Sequence, residues 1–351
     1  MAGGSSLKNM VVAFLVPLPS ILFYLSFVRA GGDTGASPLA SWCAAHPLVL
    51  ANVLFFLNVD VLFWLVGLLL SNHWVSKHYT ANTLARNLFD AMPTRLLLYL
   101  SPEQLIDLYW TVIPVMLLHY YRGHPASVAD AARSAVAVAL TWAWSARLTH
   151  NYLRREGWEL GKREDWRFNE MRAQYGNTWW WMSFFAVYLS QQVFLIGICL
   201  PMYAIHSSNQ PWGVWDLVAA ATCVAGILIA HFADTQLHRF VTRNEKLKRL
   251  GEPTVPTLED GLWRYSRHPN YFGEQLWWWG LYLFAWNLGQ RWMFLGPLVN
   301  SLCLGYVTVL VERRMLKQEH RAEAYKLYQK RTSVWIPWFR KAVPESKLKE
   351  T

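Results

Sequence analysis

Long apolar runs alternate with short basic loops along the chain, and the runs have the length of membrane spans. Eight candidates lie at roughly 10–28, 48–70, 104–121, 128–147, 179–201, 212–232, 273–289 and 292–311, each near the ~20 residues that a helix needs to cross a bilayer. The first contains Pro17 and Pro19 and the third Pro114; a bundle tolerates such kinks because neighbouring helices re-satisfy the freed backbone groups. The pattern predicts an all-α fold, a polytopic membrane helical bundle with about seven to eight transmembrane helices. Beyond the last run, 312–332 has few breakers and reads as a further helix, with Tyr325 and Tyr328 at i,i+3. Arg313, Lys317 and Arg321 recur every four residues along one face of it. The segment 334–339, VWIPWF, then looks like a return to the membrane interface.

Composition supports this class. Hydrophobic residues make up 54% and charged residues 16%, against about 25% charged in soluble proteins. The four cysteines, Cys43, Cys199, Cys223 and Cys303, form no CxxC or Cys/His cluster, so neither a disulfide framework nor a metal site is supported. The net charge of +10 could suggest a nucleic-acid partner. The basic residues lie between apolar runs, however, which favours membrane topology and lipid headgroups and gives no nucleic-acid expectation. With both termini cytosolic, 29 Lys and Arg fall on the cytosolic side and four, Arg29, Arg122, Arg133 and Arg291, on the other, as the positive-inside rule demands. The first run lacks a clear small-residue cleavage site and is read as a retained helix. Lys347 and Lys349, fifth and third from the end, resemble a dilysine retrieval signal of endoplasmic reticulum membrane proteins, an address read by a receptor.

Candidate chemistry concentrates in 260–285, DGLWRYSRHPNYFGEQLWWWGLYLFA. Arg264, Arg267 and His268 can offer charge or hydrogen bonds to an anion. Pro269 disfavours helix at His268 and predicts a turn there. Asn270, Tyr271 and Glu274 then stand at the mouth of a helix entering the membrane, where free backbone N–H groups suit a phosphate-bearing ligand. A positive-inside anchor would explain the cations but does not require Asn270, Tyr271 or Glu274. Upstream, Asp234 and His238 share a helix face at i,i+4. The Asp234 carboxylate can receive a ribose hydroxyl or an amide N–H, or pair with Arg239 or Arg243. The charged stretch 241–260 reads as a flexible loop.

Other polar features carry open alternatives. The loop 147–177 mixes charges with Trp158, Trp166, Phe168 and Tyr175, and is readable as an interfacial amphipathic helix or as a wall of the polar site. Trp179, Trp180 and Trp181 cannot all face one ligand, because successive helical residues point about 100° apart. Gln191 or Gln192 within an apolar run calls for a partner, most simply another helix. Asp60, Asp107 and Asp216 fall within or at the edges of apolar runs, and an intramembrane carboxylate is a functional candidate. No Walker loop, GxGxxG, HExxH or GxSxG context is present.

Taken together, ADTQLHRF, GLWRYSRHPNYFGEQLWWWGLYLF and the tail VERRMLKQEHRAEAYKLYQKRTSVWIPWF resemble the steroid 5-alpha-reductase C-terminal type, in particular its DUF1295 branch. The likeness spans roughly 140–340; the RHPxY element by itself also occurs in isoprenylcysteine methyltransferases. The resemblance implies a helical bundle that opens to the cytosol and holds NADPH. It implies that Asp234, Asn270 and Arg313 match cofactor-contacting positions, with Arg264, Arg267, His268 and Glu274 nearby; Arg239 is a further cofactor-binding candidate. Where the steroid reductases proper have small residues, this chain has Arg267, His268 and Pro269. Their substrate-contacting Glu and Tyr find no counterpart here.

On these grounds the chain divides into 1–130, membrane segments of unassigned role, 131–340, a reductase-like membrane domain with a cytosolic cofactor site, and 341–351, a cytosolic tail. The expectation is an NADPH-dependent reductase of a carbon–carbon double bond in a lipophilic, steroid- or isoprenoid-like substrate. Glu274, Tyr271 and Tyr188 are the candidates for polariser or proton donor. Two rivals stand beside it: a membrane methyltransferase using S-adenosylmethionine, which carries no phosphate, and a non-enzymatic sterol- or lipid-binding membrane protein.

Overall fold

The computed structural model describes residues 18–29, 37–62, 64–65, 109–158 and 166–341. The expectations for Pro17, Asp107, Lys347 and Lys349 lie outside the described residues. The chain forms two compact units, Met1–Gln210 and Pro211–Thr351.

In the first unit, helix α1 (Leu18–Phe23) runs on as a π-helix, Tyr24–Arg29. Helices α2 (Pro38–Ala45) and α3 (Pro47–Phe55) meet at a 101° bend, and a π-helix, Phe56–Leu62, extends α3. Then come α4 (Ile113–Gly123) and α5 (Ala131–Arg155), which Asp130 caps by accepting the Arg133 backbone N–H at 2.9 Å. Helix α6 (Trp166–Tyr175) leads through α7 (Trp179–Ser183) and a π-helix, Phe184–Leu189, into α8 (Ser190–His206). Gln192 donates to the Asn52 carbonyl at 3.1 Å and Trp110 Nε1 to Gln191 Oε1 at 2.6 Å, so both glutamines take partners on other segments, as packing glue does. Trp179 is buried while Trp180 and Trp181 are exposed.

The second unit is built on two helices in close antiparallel contact, α9 (Val214–Arg249) and α10 (Pro269–Asn287). Asp216 holds the start of α9, its carboxylate accepting the Gly213 N–H at 2.8 Å, a favourable position against the helix dipole. Ala219, Cys223, Gly226, Ala230 and Ala233, spaced four and three apart, form the buried stripe of α9. Gly273, Trp277, Gly280 and Phe284 answer it from α10. A Cβ on Gly226 would stand 2.6 Å from the Gly273 carbonyl oxygen, and one on Gly273 2.5 Å from Ala230 N. Only hydrogen fits there, and close backbone approach is how membrane helices gain packing energy. At the far end the rings of Trp215 and Trp286 meet at 5.0 Å.

Helix α11 (Leu295–Leu316) follows a short 3-10 turn, and α12 (Glu319–Arg331) follows α11. The single helix expected over 312–332 is therefore two. Gln318 leaves the helical region (φ −93°, ψ 103°), and the break lets α12 fold back so that Gln329 reaches Glu312. It also separates Lys317 from Arg321, so the predicted basic face does not run through. Likewise, 241–249 continues α9, and Asn244 clasps the connection beyond it, donating to the Val255 carbonyl (2.8 Å) and accepting its N–H (3.0 Å).

Helix α11 shows which solvent this unit meets. Leu295, Val299, Leu302, Tyr306 and Val309 are exposed along one side, whereas Asn300 and Thr308 are buried on the other. Apolar groups face outward and polar groups inward, the reverse of a water-soluble helix. Three helical stretches among the described residues are long and apolar enough to span a membrane: Trp166–His206, Val214–Arg249 and Arg291–Leu316. The bent α2–α3 pair makes a fourth if it counts as one span. The segments expected to span at 128–147 and 273–289 are helical but carry Arg133 and Arg147 in α5, and Glu274 and Gln275 in α10.

Candidate functional site

The candidate site lies where α10 begins. Pro269 occupies the first helical turn of α10 and His268 is non-helical (φ −139°, ψ 61°), the turn that an X-Pro step favours. Two polar clusters form around it, one closed and one open.

The closed cluster centres on Glu312, near the end of α11. Arg267 grips it with two bonds, Nε to Oε1 at 2.8 Å and Nη2 to Oε2 at 3.3 Å, the fork geometry that makes Arg–carboxylate pairs specific. His268 Nε2 lies 3.0 Å from Oε1 and Gln329 Nε2 donates to Oε2 at 2.7 Å. Arg267 Nη1 also donates to the carbonyls of Gln329 (3.0 Å) and Thr332 (2.7 Å). The backbone closes the same joint: Arg267 N bonds Ser333 O at 2.9 Å and His268 N bonds Val334 O at 3.0 Å. Further along the returning segment, Trp335 Nε1 donates to Thr308 Oγ1 at 3.0 Å. Tyr328, on α12, brings its hydroxyl to the Trp263 and Ser266 carbonyls. Burial pushes the hydroxyls of Tyr325 and Tyr328 well above the usual tyrosine range.

The structure places Arg267 and His268 in this closed cluster. Both were expected to face an anionic ligand, yet they are 8% and 5% exposed. Arg267 supplies the countercharge of Glu312, and the two residues tie the start of α10 to the C-terminal segment. Glu312 was missed in the sequence because it reads as one member of a charged run; its position one residue before Arg313 was the available signal. Arg313 itself is exposed, as are Arg239 and Arg264. The backbone carbonyl of Arg264 accepts from Arg340 Nε at 3.3 Å, and Arg340 also pairs with Glu259.

The open cluster is Asp234 with Asn270. Asp234 is the twenty-first residue of α9, about 30 Å along it at 1.5 Å per residue, which is the thickness of the hydrocarbon core. It is 6% exposed and accepts from Asn270 Nδ2 at 3.1 Å. A carboxylate only accepts, so this bond fixes the amide orientation. Asn270 Oδ1 is then the remaining acceptor, and it is buried with no partner. Nearby, Gln236 Oε1 accepts the Leu262 N–H at 3.0 Å and Trp263 Nε1 donates to the Ala233 carbonyl at 3.1 Å, which set the approach of the 260–268 loop to α9. Tyr271 stacks on His268 with ring centroids 5.3 Å apart. Glu274 stands one turn beyond Asn270 and is half-buried.

Tyr188 belongs to the other unit, where its side chain is fully buried within the π-helix Phe184–Leu189. Asp60 is also in that unit. It is 0% exposed, and neither carboxylate oxygen has a hydrogen-bond partner.

The outward apolar faces, the inward polar groups and the polar mouth define a helical integral membrane protein. The chain belongs to the DUF1295 family, described as a protein of unknown function, whose profile matches residues 96–332. An uncharacterised protein of Schizosaccharomyces pombe is 28% identical over 245 residues, covering 64% of this chain and 68% of that protein. No solved structure matches.

Proposed function

We propose that the protein is an NADPH-dependent membrane reductase of a carbon–carbon double bond in a lipophilic substrate, related to the steroid 5-alpha-reductases. The observation that carries this reading is the pairing of buried Asp234 with half-buried Asn270 at the helix mouth, which leaves one buried acceptor, Asn270 Oδ1, unused. Leaving a buried acceptor unmade costs free energy that a ligand donor would recover. A carboxylate beside an amide oxygen suits the hydroxyl and amide N–H groups of a dinucleotide. The exposed guanidinium groups of Arg239, Arg264 and Arg313 supply cations for its phosphates.

Bound there, NADPH supplies a hydride to the β-carbon of an enone. The chain holds the developing enolate oxygen with a donor, a contribution of about 3–4 kcal/mol per bond. Glu274 and Tyr271, on the first two turns of α10, are the candidates for that donor and for protonating the α-carbon. The apolar outward faces give the substrate its route from the lipid. The reading includes seven to eight spans, both termini in the cytosol and residence in the endoplasmic reticulum.

One observation favours the rival methyltransferase. With Arg267 and His268 committed to Glu312, fewer cations remain for phosphates, and S-adenosylmethionine has none. Thermal-shift titration of purified protein with NADPH and with S-adenosylmethionine separates the two. Stabilisation by NADPH, weakened in Asn270→Ala, is the expected result; stabilisation by S-adenosylmethionine alone would transfer the site to methyl transfer. Binding of NADPH with no turnover on any lipid extract would favour the non-enzymatic lipid binder.

A further inference from the structure

The segment that closes the Glu312 cluster turns large apolar side chains outward. Ile336, Trp338 and Phe339 are 67%, 66% and 78% exposed. The rings of Trp338 and Phe339 lie 6.4 Å apart, and Phe339 meets the ring of Tyr265, itself exposed, at 6.3 Å. The three rings form one patch. Its exposure is not fraying, because the backbone beneath it is tied down. Trp338 N donates to the Tyr265 carbonyl at 2.9 Å and Lys341 N to the Arg331 carbonyl at 3.0 Å. Arg340 Nε donates to the Arg264 carbonyl at 3.3 Å, and Arg340 also pairs with Glu259. Aromatic side chains held outward on a fixed backbone mark a surface that something covers.

The neighbouring elements say what covers it. Trp335 donates to Thr308 on α11, the helix that turns Leu302, Tyr306 and Val309 outward to lipid. Thr308 lies five residues before Arg313 on that helix, about 7.5 Å along the axis. Interfacial segments seat their apolar side at roughly that depth, about 5–10 Å into the headgroup boundary. The segment therefore returns to α11 at the edge of the bilayer. Residues 334–341 include Arg340 and Lys341 and no acidic residue. Lys341 is exposed, as is Arg264, the residue before Tyr265. Rings bordered by cations match the boundary of an anionic leaflet, with the rings at headgroup level and the cations among the phosphates.

The same segment brackets the start of α10. The Thr332 carbonyl accepts from Arg267 Nη1, and the Ser333 and Val334 carbonyls accept the Arg267 and His268 N–H groups. The Tyr265 carbonyl takes the Trp338 N–H. Whatever holds Trp338 and Phe339 in place also holds 265–268 through these bonds. We propose that Tyr265, Trp338 and Phe339, with Arg264 and Lys341, form a docking surface for the anionic phospholipids of the surrounding leaflet, and that lipid seated there steadies the mouth of α10. The docking surface stands whether or not the site beside Asp234 binds NADPH.

The test uses full-length protein without NADPH, in nanodiscs of phosphatidylcholine alone and of an equal mixture with phosphatidylserine. Amide hydrogen exchange should be at least threefold slower at Arg267 and His268 in the mixed discs, and high salt should shrink the difference. The double variant Trp338→Ser/Phe339→Ser should lose the slowing. Both side chains are exposed, and the bond from Trp338 is made by its backbone, so the variant should melt in detergent close to wild type. A second readout needs no variant: a phosphatidylserine with a diazirine just below its headgroup should label 334–341 of wild type on illumination. Equal exchange in the two kinds of disc, slowing kept by the double variant, or no label on 334–341 would overturn the docking surface. So would wild type that is dimeric in detergent and a double variant that is monomeric, since a second copy would then cover the patch.

Discussion

The two polar clusters at the start of α10 differ in one respect, how completely their groups are satisfied. Around Glu312, both carboxylate oxygens and most of the Arg267 donors are engaged within the chain. Around Asp234, the pair with Asn270 leaves an acceptor open. Residues 267 and 270 are separated by less than one helical turn of sequence, yet the first is held within the chain and the second keeps an acceptor unused. A closed network gains nothing from a bound molecule, whereas an open one does. Cationic side chains near a helix N-terminus therefore do not by themselves mark an anion site; their existing partners decide.

The largest expected effect comes from breaking the closed cluster. Glu312→Ala leaves Arg267 buried without its carboxylate, and loss of one partner from such a pair typically costs about 3–5 kcal/mol. Thermal unfolding of the detergent-purified variant should show a large fall, with α12 and the 332–339 segment released to proteolysis. An unchanged melting temperature would break the contrast between the clusters. Close behind comes Gly273→Val. Its side chain would strike the backbone of α9 at Ala230 and Gly226, so a severe loss of folded protein is expected on size-exclusion chromatography.

Breaking the open cluster should have the opposite signature. Asn270→Ala should weaken NADPH binding at least tenfold, about 1.4 kcal/mol, with a smaller fall in melting temperature than Glu312→Ala, since Asp234 loses one donor. The smallest effect belongs to Arg313→Ala, an exposed cation. A few-fold loss of NADPH affinity is expected at low ionic strength and should shrink as salt rises. Calorimetric titrations at two salt concentrations check it, and equal losses at both would remove Arg313 from phosphate binding.

Much of this was legible in the chain. The apolar runs announced membrane helices, and Pro269 placed the turn at His268. The alternation of Ala219, Cys223, Gly226, Ala230 and Ala233 carried the α9–α10 contact in plain view, as small residues three and four apart do in membranes. The division of polar groups between clusters was not legible. Glu312 meets Arg267 across 45 positions of sequence, and that meeting depends on the break at Gln318 and the return of α12. Periodicity within 312–332 gives no hint of either.

The most direct measurement is equilibrium titration of NADPH into purified wild-type protein beside Asn270→Ala and Arg267→Lys. The open cluster predicts saturable binding to wild type, tenfold or greater loss in Asn270→Ala with the fold intact, and destabilisation before any specific loss in Arg267→Lys. No NADPH binding by well-folded wild-type protein, or equal binding by Asn270→Ala, would contradict it.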